Sequence, residues 1–77
     1  MNETTSKLIL LVADRFHVDS KKLKPEDDFF EKLGINSLQA LDLLGDLEVA
    51  FDVTIPDYIL KETTTFQDLA KAIEGSK

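Results

Sequence analysis

The 77-residue chain contains no cysteine. That excludes disulfides, thiolate metal sites and thiol nucleophiles, so a domain this small must hold itself together by packing alone. Histidine is almost as scarce. His17 is the only one, which leaves little from which to build a nucleophile–base–acid triad. It reads as a half-exposed loop residue, with pH sensing or ligand binding as the alternative. Long apolar runs are missing too: the longest, residues 8–13, falls far short of the roughly 20 residues a bilayer span requires. No basic segment followed by an apolar stretch and a small-residue cleavage site opens the sequence, so a cytoplasmic chain is expected. Finally, residues 33–60 contain no Lys or Arg, while Asp42, Asp46, Glu48, Asp52 and Asp57 place five negative charges there. This stretch carries most of the net charge of −6, which opposes attraction to nucleic acid or anionic lipid and favours basic partners.

What is present suits one small core. An apolar content of 43% serves a single domain over residues 1–77, with no second domain and a monomer expected. Leu8, Leu11, Val12 and Phe16, flanked by Ile9, recur at helical spacing and predict an amphipathic helix over residues 4–16. Residues 17–36 follow as a long loop broken by Pro25 and Gly34. Val18, Leu23, Phe29, Phe30, Leu33 and Ile35 anchor it, and residues 29–32 can form one helical turn. A second helix is predicted over residues 37–52, with Leu41, Leu44, Leu47 and Phe51 on a core stripe, Ala40 beside it, and Leu43 and Ala50 widening it. Gln39, Asp42 and Asp46 fall on the opposite arc, next to Leu38 and Val49, two apolar residues the core stripe does not need. A short third helix is predicted from Pro56, with Asp57 complementing its dipole, ending at residues 63–65. Thr65 then offers an N-cap, with Asp68 three residues on, to a fourth helix whose Phe66, Leu69, Ala70 and Ile73 face inward up to Gly75. Residues 51–55 alternate too briefly to found a sheet. The predicted fold is all-α: a four-helix bundle of three longer helices and one short third helix, with a long loop between helices 1 and 2.

Chemistry is sparse. Glu26, Asp27, Asp28 and Glu31 cluster without the alternating ligands, central Gly and terminal Glu of a calcium loop, and read as a solvated loop face. Neither Gly34 nor Gly45 belongs to a phosphate-cradling motif, and no adjoining cleft is expected to perturb paired carboxylates. An enzyme is not expected.

The remaining feature is the junction Leu33-Gly34-Ile35-Asn36-Ser37-Leu38, where the loop enters the second helix. Asn36 can cap that helix with Gln39 returning the hydrogen bond, which frees the Ser37 hydroxyl at the first turn. A phosphoester there would meet the unpaired N–H groups and positive end of the helix, a gain of roughly 0.3–1 kcal/mol at an exposed site. Alternatively Ser37 is itself the cap and nothing more, and local spacing does not decide between the two.

The wider pattern resembles the acyl carrier protein family. The junction, then Ala40-Leu41-Asp42-Leu43-Leu44, Leu47-Glu48-Val49-Ala50-Phe51 and Val53-Thr54-Ile55-Pro56-Asp57 carry that resemblance, in register from about Leu8 to Ile73. The family's Asp-Ser-Leu stands here as Asn36-Ser37-Leu38. The resemblance implies a covalent 4′-phosphopantetheine on Ser37, attached by a phosphopantetheinyl transferase using coenzyme A, whose thiol holds acyl groups as thioesters. It also implies delivery to acyl-transferring or acyl-ligating enzymes of fatty-acid, polyketide or related biosynthesis, whose basic patches dock on Gln39, Asp42, Asp46 and Asp57; Leu38 and Val49 stand beside that face, either as partner contacts or as core residues. Three departures from the family pattern suggest a specialised carrier: Asn36 in place of an acid, Val49 within the usual acidic run, and the apolar Tyr58, Ile59 and Leu60. Two alternatives remain, a peptidyl or aminoacyl carrier of a non-ribosomal pathway and an unmodified acidic interaction module.

Overall fold

The computed structural model describes residues 3–75; residues 1, 2, 76 and 77 of the expected 1–77 domain lie outside the described residues. Among the described residues there are five helices and no strand: α1 (Glu3–Phe16), α2 (Phe29–Leu33), α3 (Ser37–Phe51), α4 (Ile59–Glu62) and α5 (Phe66–Gly75), with a 3-10 turn at Ser20–Lys22. The three longer helices are α1, α3 and α5, as the periodicity predicts, and the single turn anticipated near Phe29 is α2. None of the helices is long and apolar enough to cross a membrane.

Helical spacing explains the core. Leu8, Ile9, Val12 and Ala13 of α1 pack with Ala40, Leu43, Leu44 and Leu47 of α3 and with Phe66, Leu69, Ala70 and Ile73 of α5. Fully burying each large side chain among them contributes about 1.5–3 kcal/mol. Phe29 joins from α2, its ring 4.6 Å from that of Phe30 and 6.1 Å from that of Phe66. No buried side-chain polar atom among the described residues lacks a hydrogen-bond partner.

Three helices end in the same way, with one residue in the left-handed region: His17 (φ 56°) after α1, Gly34 (φ 63°) after α2 and Asp52 (φ 54°) after α3. The following N–H in each case donates back five residues, Val18 to Ala13, Ile35 to Phe30 and Val53 to Glu48, which satisfies carbonyls the helix leaves free. His17 is thus an exposed helix-closing residue.

The long loop is anchored by apolar side chains and by backbone bonds as well, but Val18, expected among the anchors, is 37% exposed, its N–H engaged in closing α1. Leu23, Phe29 and Ile35 are buried. The N–H of Phe29 donates to Thr64, that of Phe66 to Asp27 and that of Gln67 to Pro25, tying the loop to the start of α5. The acidic cluster works within this arrangement. The Asp27 carboxylate accepts the Lys24 N–H, and the Asp28 carboxylate caps α2 by accepting from Phe30 and Glu31. The Thr65 hydroxyl caps α5 by accepting the Asp68 N–H at 3.1 Å, as its spacing suggests.

Two expectations are corrected. Pro56 does not open a regular α-helix: the N–H groups of Ile59, Leu60 and Lys61 donate three residues back, to Pro56, Asp57 and Tyr58, so the segment begins as a tight turn and becomes helical only at Ile59. The buried stripe of α3 is centred on Ala40, Leu43, Leu44 and Leu47, whereas Leu41 is 38% exposed, Phe51 half-buried and Ala50 exposed. The buried arc is rotated from the expected one, because the Leu41 side of the helix faces a cleft rather than the core, while Phe51 still packs against the core from the helix end.

Candidate functional site

The start of α3 is built by Gly34 and Asn36. Gly34 reverses the chain after α2, and no atom lies within 4 Å of where its Cβ would stand, so backbone conformation alone favours glycine there. Asn36 adopts extended geometry and forms a complete capping box with Gln39. Its side-chain oxygen accepts the Gln39 N–H at 2.9 Å, and the Gln39 side chain accepts the Asn36 N–H at 3.1 Å. This resolves the open question about Ser37, which is the first helical residue and not the cap. Its side chain is exposed, and among the described residues it makes no hydrogen bond and the N–H groups of Ser37 and Leu38 find no acceptor. A free hydroxyl therefore stands beside free amide donors at the positive end of a fifteen-residue helix.

Beside the hydroxyl lies an open cleft of about 230 Å³ lined by Ser37, Leu41, Asp57, Leu60 and Lys61. The α3–α4 contact forms it. Of the residues singled out from sequence, the cleft brings together Ser37 and Asp57. Gln39 is exposed, but its side chain belongs to the cap. Leu38, Asp42 and Val49, spaced by four and seven residues, share the outward face of α3, with Leu38 73% and Val49 83% exposed. Asp46 is set apart from the other acids by an ion pair with Arg15 of α1.

Sequence reasoning missed Leu41, Leu60 and Lys61 as neighbours of Ser37. Leu41 stands one helical turn after Ser37 and so on its face, a signal hidden by the equally regular spacing to Leu44 and Leu47. Lys61 offered a plainer one, as the first cation after the cation-free stretch and one turn beyond Asp57.

Against known proteins, the family described as "Phosphopantetheine attachment site" matches residues 6–73, nearly the whole described chain. The fold and this match define the class, a helical domain of the phosphopantetheine-attachment type. The chain is 35% identical over 74 residues to an acyl carrier protein of Karelsulcia muelleri, covering 96% of this chain and 89% of that one. Acyl carrier proteins of Prochlorococcus marinus and of a Cylindrotheca species are 35% and 32% identical over 75 residues, each comparison covering 97% of this chain and 94% of the relative. The chain belongs to the acyl carrier protein family. The prosthetic group that accompanies membership is covalent 4′-phosphopantetheine.

Proposed function

We propose that the chain is a single-domain carrier that holds acyl or related intermediates on a 4′-phosphopantetheine arm attached to Ser37 and presents them to biosynthetic enzymes in the cytoplasm. The observation that carries this reading is the capping box: Asn36 and Gln39 satisfy the helix start, so the Ser37 hydroxyl, exposed beside the cleft, has no structural task. A phosphodiester fits there, because the free N–H groups of Ser37 and Leu38 and the positive end of α3 favour an anion. When bound, the arm supplies a terminal thiol that holds the acyl group as a thioester. The chain's own residues make and break no bonds; they position, expose and dock.

Docking falls to the outward face of α3. Asp42 offers charge, Leu38 and Val49 offer apolar contact, and Asp57 extends the acidic edge beside Ser37. Exposed pairs with Arg or Lys of a partner contribute only about 0.2–1 kcal/mol each, so complexes are short-lived and salt-sensitive, which suits a carrier visiting successive enzymes. The partners are a phosphopantetheinyl transferase and acyl-transferring or acyl-ligating enzymes with basic patches, and Val49, exposed where the family pattern carries an acid, favours a specialised pathway over general fatty-acid synthesis. Incubation with a transferase and coenzyme A should add the mass of one phosphopantetheine to the wild type and none to Ser37→Ala. Wild-type protein left unmodified by several transferases would point instead to a plain interaction module.

A further inference from the structure

Every charged side chain on α3 is acidic, and no Lys or Arg occurs from residue 33 to residue 60. Lys61, the first cation beyond, lies on α4 and lines the cleft that also holds the Ser37 hydroxyl. It makes no ion pair among the described residues, although Asp57, one turn earlier, lines the same cleft. We propose that Lys61 is the positioning residue for the arm's phosphodiester, pairing its ammonium group with the phosphate on Ser37 and so fixing the direction in which the arm leaves the protein.

The inference rests on the reading of Ser37 as the attachment residue and goes beyond it in assigning a task to α4. Charge decides the direction. A phosphodiester on Ser37 is an anion in a cleft with one carboxylate, Asp57, and one ammonium, Lys61. Asp57 repels it and Lys61 attracts it. The amides at the start of α3 hold the phosphate near the helix axis without selecting a side, whereas a charge-assisted hydrogen bond from α4 does select one. The flexible stem of a lysine lets its charge follow the phosphate, which a rigid donor would not. Asn36, neutral and engaged in the cap, offers Lys61 no competing carboxylate from the other flank. Loading then ties the start of α3 to α4 through an anion that the apo protein lacks.

The test uses full-length protein, apo and loaded, with loading established by intact mass before any spectrum is read. Lysine side-chain NMR, with the Lys61 signal identified by its disappearance in K61Q, should show that signal moving on loading while those of Lys7 and Lys71 stay in place. In the loaded wild type the phosphorus-31 line should move as NaCl is added. K61Q should displace that line and remove its salt dependence, and K61R should restore both, which a merely structural role for Lys61 would not produce. A Lys61 signal indifferent to loading, or a phosphorus line unchanged in K61Q, overturns the proposal and leaves Ser37 as the attachment residue. Protein that never gains the phosphopantetheine mass overturns both.

Discussion

On the inner face of α3, Ala40, Leu43, Leu44 and Leu47 are at most 2% exposed, while on the outer face of the same helix Leu38 and Val49, no less apolar, are 73% and 83% exposed. Composition does not separate the two groups; position around the helix does. Each outer residue forgoes the roughly 1.5–3 kcal/mol that burial would contribute, and nothing in the fold recovers it. The inner face holds the bundle together, and the outer one is kept available for contact. The same division holds at the helix start, where Asn36 and Gln39 stabilise the helix and Ser37 between them is left free.

Truncating one residue from each face should separate the two. Leu47→Ala should lower unfolding stability by about 2–5 kcal/mol, because its surroundings close only partly over the lost side chain. Val49→Ala should stay within about 0.5 kcal/mol of wild type in the same urea titration, yet weaken partner binding. Comparable losses of stability would mean that the two faces are not divided as described.

Gly34→Ala should cost about 1–2 kcal/mol through the left-handed backbone alone, since its new Cβ would meet nothing. Asp52→Gly, at nearly the same φ, should by contrast be neutral or stabilising, and thermal unfolding of the pair would separate backbone preference from packing. At the helix start, Asn36→Ala should lose about 1 kcal/mol with the capping box, while Ser37→Ala leaves stability essentially unchanged. Equal losses in denaturant titrations would return Ser37 to the role of cap.

Much of this was legible before any coordinates. Three long helices and the Thr65 cap follow from local spacing, because a helix fixes which residues share a face, whereas spacing left both Asn36 and Ser37 as possible caps of α3 and both Leu38 and Val49 between core and surface until the structure placed them. What spacing does not carry is contact between distant segments. The backbone bonds from residues 25–29 to residues 64–67 have no local signature, since a backbone amide bonds alike whatever side chain it carries. The cleft beside Ser37 depends on where α4 lies against α3, and this turned Leu41 from an expected core residue into a lining one. Arg15 and Asp46 likewise meet only because α1 lies beside α3.

That ion pair gives the smallest expected effect. Asp42→Lys and Asp46→Lys should both slow association with a basic partner at low salt, but only Asp46→Lys also gives up the contact to Arg15, a difference of about 0.2–1 kcal/mol in stability. Association rates measured at low and high salt, beside denaturation curves, separate the two effects; rates unchanged at low salt would remove α3 as the docking face.

The most direct measurement is to load the wild-type protein with a transferase and coenzyme A and fragment its peptides in a mass spectrometer until the added group is assigned to one residue. The added group should reside wholly on Ser37, with Ser6, Ser20 and Ser76 unmodified. An added mass on any of those other serines, with Ser37 bare, would contradict that assignment.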